Sequence, residues 1–475
     1  MDNPLPVAEV ALSQASAAAV SARPRPVLSV FSATMITVGI VVGAGIFQTP
    51  ALVATIAGSP ALTIFAWSMG GILSFVGALT YAELAGAYPS AGGEYSFLTR
   101  AYGRNLSFLF AWARNTVIVT GSIGLIGFIL GDYLSQLFSL GAHSSAIYAA
   151  LAVIVLTAIN LGGLHGSSRM QNVLTIVEVA GVLLIGAAGL LFGSPPEASA
   201  ASGGEAGVSG ASGAFGFALV FVLLTYGGWN EAAYVSAELR GGARAIRRTL
   251  FLSIVVITFV YLVFVLGVMG TLGFEGMKQS GAVGVEATTQ LIGSGGGQAV
   301  GVLVALSALT SMNSTMIVGA RSNYALAGDW PALRFLGRWH GLRNTPATGF
   351  IVQAFIALAL IGFGALSQDG FSALVEFTAP VFWFFFMLTG IALFVLRRRE
   401  PGRDRPFNVP LYPWLPLVFV GTCAYLFYSS IRHAQTEHAT SIALLVMLSG
   451  AVVWAVMALY DRHVRRPSRA TPGSE

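Results

Sequence analysis

Apolar residues run through this chain in long blocks, and polar residues gather in the gaps between them. A helix of about 20 apolar residues is long enough to cross a bilayer, and twelve such spans can be placed. They start near Val27, Ala61, Leu106, Ala146, Gln171, Ala214, Thr249, Gln298, Ala347, Ser372, Pro413 and Thr440. No charge occurs between Val27 and Ala82, yet Gly58-Ser59-Pro60 divides that stretch in two. The pattern predicts an all-α polytopic membrane protein with twelve transmembrane helices. The basic residues orient it. Of 25 Lys and Arg, all but Lys278, Arg432 and Arg114 fall in the tails or in every second gap. Basic loops stay on the cytoplasmic side, so both termini are expected there.

Composition narrows the class further. Hydrophobic residues make up 55% and charged residues 9%, against about 25% charge in a soluble domain. The net charge of +5 then reflects cytoplasmic loops facing anionic lipid, not a nucleic-acid surface. Cys423 lies inside a span and is the sole cysteine, so no internal disulfide forms and no disulfide-linked partner subunit is expected. It reads as a small apolar core residue. Residues 1–26, rich in Ala and Ser, lack the basic start and apolar core of a signal peptide and are expected to be a disordered tail. Residues 193–213 read as a low-complexity extracellular linker.

That linker separates two sets of five spans, 27–192 and 214–397, which are followed by a cytoplasmic loop at 398–412, two further helices at 413–461 and a tail at 462–475. An odd number of helices per set turns the second set upside down relative to the first. Inverted repeats of this kind build many secondary transporters, with substrate held near the midplane at discontinuous helices. Each set opens with a glycine interruption, Gly43-Ala44-Gly45 in the first helix and Gly227-Gly228 in the sixth. Glycine also serves close helix packing; the matched positions, with Asn230 and Glu231 directly after the second, favour breaks. Free N–H groups at the start of a half-helix suit a carboxylate. Free C=O groups at the end of the preceding half suit an ammonium. Two such breaks complement an α-amino acid.

Several stretches match a known family. They are Gly43-Ala44-Gly45-Ile46-Phe47, Tyr81-Ala82-Glu83-Leu84, Pro89-Ser90-Ala91-Gly92-Gly93-Glu94-Tyr95, Tyr226-Gly227-Gly228-Trp229-Asn230, and Arg405-Pro406-Phe407-Asn408-Val409-Pro410-Leu411-Tyr412-Pro413. From about Val27 to Tyr460 the chain resembles the amino acid–polyamine–organocation transporter superfamily, and within it the L-type amino acid transporters and their bacterial relatives. The resemblance implies ten helices in a 5+5 inverted repeat, with helices 1 and 6 broken, and two extra C-terminal helices. It further implies that the amides of Ala44, Gly45 and Ile46 hold the substrate carboxylate. Carbonyls around Leu224, Thr225 and Gly227 would receive the ammonium, Asn230 would add a polar contact, and Val41 and Leu224 would face the side chain. Relatives often place a bulky aromatic gate where this chain has Leu224, so either that gate is missing or the pocket is roomier. The stretch around Glu94 would form a re-entrant loop that takes part in inner gating.

Ionisable groups within spans are costly and are functional candidates. Glu178 stands where many relatives carry a Lys in place of a bound sodium ion. A carboxylate there can exchange a proton, or ligate a cation with hydroxyls such as Ser307 or Ser311; equally, it can face the vestibule or pair with a basic group. Glu231 can meet the substrate ammonium, but a structural or gating role is favoured. Arg114 is expected to snorkel to the cytoplasm, Glu376 to be solvated near the extracellular start of helix ten, and Glu83 to anchor a loop. Asn313 is expected to hydrogen-bond between helices, and Trp229 to wedge the second break. The aromatic run Trp383 to Phe386 is expected to contact mostly lipid and neighbouring helices. The six His residues show no metal-site spacing, no phosphate-binding glycine motif occurs, and no cofactor is expected.

The expectation is therefore a secondary transporter, or permease, for amino acids, seated in a bacterial inner membrane and working by alternating access. Neutral L-amino acids are favoured by the apolar pocket positions, with a proton or a counter-substrate as the coupled species. A cationic amino acid or polyamine is the alternative, suggested by Glu178 and Glu231. A channel or sensor is a different class that the sequence leaves open, whereas no constellation for an enzyme is visible.

Overall fold

The structure, a computed structural model, describes residues 28–464 apart from 91, 162–167, 195–210, 235, 237–238, 338–346, 368 and 433–438. The expected tail at 1–26, most of the linker at 193–213 and most of the tail at 462–475 thus lie outside the described residues. Sixteen α-helices carry the described chain: α1 Val30–Val41, α2 Gly45–Ala57, α3 Pro60–Ala87, α4 Glu94–Tyr102, α5 Arg104–Ala113, α6 Val119–Leu137, α7 Ser144–Leu161, α8 Ser168–Phe192, α9 Ala211–Thr225, α10 Gly242–Gln279, α11 Val283–Ile292, α12 Ser294–Asp329, α13 Ala347–Ala365, α14 Gly370–Arg399, α15 Trp414–Arg432 and α16 Ala439–Val464. A π-helical turn, Arg114–Ile118, joins α5 to α6. A single isolated bridge pairs Leu28 with Leu239, and no strand occurs among the described residues.

Ten helical stretches are long and apolar enough to cross a membrane, and α1 with α2 forms an eleventh bent by 49°. The apolar part of α9, Phe215–Thr225, is shorter. Local chemistry sets several starts. Ser29 and Ser59 cap α1 and α3 by accepting from the amides of Ser32 and Leu62, with Pro60 preset for the first helical turn. Asp369 caps α14 through the amide of Ser372. Helix α10 begins at Gly242 instead of the expected Thr249, because Arg244, Arg247 and Arg248 are helical residues extending past the apolar stretch. The nine-residue α4 and the ten-residue α11 lie between the long helices.

Two features brace the framework. Trp229 is buried and lies edge-on to Tyr81 and Phe386, at centroid distances of 5.0 and 5.7 Å. At the basic end of the molecule, Glu83 near the end of α3 accepts two bonds from Arg397 (2.7 and 2.5 Å) and one from the Val409 amide (2.7 Å). Arg405 stands 3.6 Å away. The expected loop anchor therefore ties α3 to α14 and to the segment that follows it. Asn313 likewise accepts a 2.7 Å bond from Asn160, joining α12 to α7. Cys423 is 1% exposed in α15.

Candidate functional site

The two glycine interruptions meet. Helix α1 ends at Val41 and α2 begins at Gly45; the Gly43 amide turns back to the Val41 carbonyl (2.8 Å). A Cβ on Gly43 would stand 2.7 Å from Ser311 Oγ, so only glycine lets α12 come this close. Helix α9 ends at Thr225, and Gly228 (φ +108°) turns the chain into a 3₁₀ segment, Trp229–Ala233. That left-handed φ suits glycine. A Cβ there would also fall 2.8 Å from the Ile40 side chain. From α10, the Tyr261 hydroxyl reaches the carbonyls of Val41 (2.6 Å) and Thr225 (3.0 Å), the last residues of the two half-helices. Terminal helix carbonyls lack intrahelical donors, so one side chain serves both ends. Thr225 also donates to Thr49 on α2 (2.8 Å).

The breaks open onto one cavity of ≈ 170 Å³. A cavity of about 150 Å³ holds a six-membered carbon ring, so this volume fits a ligand the size of a small amino acid. Val41, Ala44, Gly45, Leu224, Thr225, Gly227, Asn230 and Glu231 line it, together with Ser311. The amide of Gly45 opens α2 before its first intrahelical bonds, as a free helix N-terminus does. The rest of the wall is mainly apolar, including Ile118, Ile126, Ile129, Phe221, Phe371 and Val375.

Glu94, Arg114 and Glu231 meet at the wall of this cavity. Arg114, at the start of the π-helical turn, donates two bonds to Glu231 (2.9 and 2.8 Å) and one to Ser322 on α12 (3.0 Å). Its guanidinium lies 3.7 Å from Glu94 and 4.3 Å from the centre of the Tyr234 ring. Glu94 also accepts from Tyr81, Tyr234 (3.1 Å) and Asn230 (3.2 Å).

Residues 28–456 match the amino acid permease family. The chain belongs to that family. The permease is 27% identical over 427 residues to the serine/threonine exchanger SteT of Bacillus subtilis (strain 168), covering 89% of this chain and 94% of the relative. It is 26% identical over 438 residues to the human cystine/glutamate transporter, covering 90% and 85%. It is 27% identical over 443 residues to the mouse large neutral amino acids transporter small subunit 2, covering 92% and 81%. It is thus a multi-pass membrane protein of amino acid transport.

Other predicted residues of the permease fall elsewhere. Ile46 is fully buried behind the cavity wall, and its amide bonds the Gly43 carbonyl at 3.4 Å. Glu178 on α8 is 3% exposed and accepts from Ser307, while its second carboxylate oxygen has no hydrogen-bond partner. Ser311, one turn after Ser307, donates to the Gly39 carbonyl of α1 (3.3 Å).

Three expectations need correcting. Arg114 does not snorkel; it is 2% exposed because two carboxylates and a serine satisfy it inside the protein. Glu376 is not solvated, being 3% exposed within α14. The aromatic run meets neighbouring elements as expected, but not mostly lipid: Trp383, Phe385 and Phe386 are buried, and the last two line the cavity. The signal for the Arg114 cluster was present, since an intramembrane cation usually pairs with intramembrane acids, and Glu94 lies within one matched motif while Glu231 directly follows another.

Proposed function

We propose that this permease is a secondary transporter of small neutral L-amino acids, working by alternating access. The observation that carries it is the convergence of two helix breaks on one cavity of amino-acid size, with helix-start amides on one side and helix-end carbonyls on the other. In this reading, the amides of Ala44 and Gly45 take the substrate carboxylate, Ile46 standing behind the wall with its amide turned to the Gly43 carbonyl, and carbonyls around Leu224, Thr225 and Gly227 take the ammonium. Asn230 and Glu231 border the ammonium end, and Val41 and Leu224 contact the side chain. The small volume and apolar wall support a short uncharged side chain; a cationic amino acid is the alternative. The fold is taken as twelve spans in a 5+5 inverted repeat with two peripheral helices. Basic loops on one side support cytoplasmic termini in a cell inner membrane.

Coupling is assigned to Glu178. It is buried, holds one hydrogen bond from Ser307 and leaves an oxygen without a hydrogen-bond partner among the described residues. A buried carboxylate with so few donors is a proton acceptor in waiting. Its partner Ser307 lies one turn before Ser311, which touches the first break, so α12 links Glu178 to the place where substrate binds. The test is uptake of labelled L-serine into proteoliposomes, with and without an inward proton gradient, for wild type and Glu178→Gln. Gradient-driven uptake in wild type alone supports proton coupling. Gradient-independent uptake that requires internal amino acid, unchanged in the variant, would replace it with exchange.

A further inference from the structure

The charged residues lining the cavity are Glu94, Arg114 and Glu231, two carboxylates against one guanidinium. Their hydrogen bonds agree with that count. Glu94 faces three donors, from Tyr81, Tyr234 and Asn230, as well as Arg114, and Glu231 takes two bonds from Arg114. An ionised carboxylate is acceptor-only, and every partner of these two offers a hydrogen. With both acids ionised, the cluster carries one net negative charge, two carboxylates against one guanidinium. Glu94 and Arg114 side chains are 3% exposed, whereas Glu231 is 16% exposed. Arg114 commits its Nε to Ser322 and both Nη2 hydrogens to Glu231, and its Nη1 lies 3.7 Å from Glu94.

We propose that the Glu94–Arg114–Glu231 cluster is a charge filter that disfavours acidic side chains relative to neutral ones and to basic ones of similar size. This rests on the reading of the cavity as the substrate site. An amino acid held by the two breaks brings its own balanced ammonium and carboxylate, so its side chain alone decides the electrostatic sum. A unit charge about 10 Å from the cluster, through an effective dielectric of about 20, changes affinity by about tenfold or more. The π-helical turn that begins at Arg114 supports the assignment independently. Such turns insert one residue to re-aim side chains and recur at functional sites, and this one points Arg114 between both acids and Ser322.

The test is a ladder of charge. Wild type, Glu231→Gln, Glu94→Gln and the double variant carry net charges of minus one, zero, zero and plus one at the cluster. Competition by L-lysine and L-glutamate against labelled L-serine is measured on purified full-length protein. Lysine and glutamate side chains differ by two charges, so wild type should prefer lysine by about a hundredfold or more, and the preference should fall by about the same factor with each carboxylate removed. A merely structural role would weaken all three ligands together and leave the ratio in place. Glu94→Gln carries the test should Glu231→Gln fold poorly, and the wild-type ratio stands by itself. Glutamate competing as well as lysine in wild type, or a ratio within twofold of wild type in a single variant that still binds serine, would overturn the filter. If serine binds and the ratio does not move, only the filter falls. If none of the three binds wild type, the substrate-site reading falls with it.

Discussion

Replacing Gly43 by Ala tests whether the first helix break is held open by contact with α12. The new methyl carbon would lie 2.7 Å from Ser311 Oγ and 3.3 Å from Ser311 Cβ. Real Cβ contacts essentially never fall under 3.0 Å, so the hydroxyl must turn or move by a few tenths of an ångström. The Gly43 backbone lies outside the left-handed region, so alanine strains no dihedral and the clash stands alone. Overpacking of this size costs about 1–3 kcal/mol, or about 5- to 150-fold if it falls entirely on substrate affinity. Removing the hydroxyl should relieve most of it. Ser311→Ala gives up a 3.3 Å bond to the Gly39 carbonyl, a loss of about 0.5–1.5 kcal/mol. A double-mutant cycle on L-serine dissociation constants is the assay, with a coupling of about 1 kcal/mol or more expected. Gly43→Ala binding serine like wild type, or a double variant no better than Gly43→Ala alone, would refute the reasoning.

Two further outcomes follow from single contacts. Glu83→Gln leaves Arg397 without its charge partner and loosens the Val409 amide. Breaking a buried pair costs about 3–5 kcal/mol, so hydrogen exchange across 400–412 should quicken markedly, while unchanged protection would count against the anchor. Tyr261→Phe removes the donor shared by the Val41 and Thr225 carbonyls. Val41 keeps the Gly43 amide, but the Thr225 carbonyl is left short of a donor, which costs about 1–3 kcal/mol, and serine affinity should fall about fivefold or more; equal affinity would show that solvent replaces the hydroxyl.

Much of the fold was legible because bilayer length and charge exclusion act on every span. Helix starts at Pro60, Arg104, Ser144 and Ala347 fall close to the expected Ala61, Leu106, Ala146 and Ala347. The start at Gly242 was missed because a run of arginines reads as a loop, although arginine is a good helix former once past the apolar core. Helix α11 escaped notice because ten residues with one acid make a weak pattern against the long spans. Helix ends fall beside both glycine pairs, at Val41 and Thr225, and the cavity gathers residues flanking both. Arg114 was misjudged for a geometric reason. Snorkelling follows from depth along one helix, whereas pairing depends on Glu94 and Glu231, brought in by α4 and the 3₁₀ turn after α9. Glu376 shows the same limit: a position near a helix end says nothing about which neighbours cover it.

The lone thiol gives the molecule a practical property. Cys423 is 1% exposed and packed within α15, so a maleimide dye offered to the native protein finds no ready site. A cysteine placed at Leu366, 88% exposed in the turn between α13 and α14, would then be the only reactive handle, with no background to subtract. Pairs of such handles at opposite ends of the helices would let single-molecule fluorescence follow the transport cycle in a chain altered only at the two reporting positions.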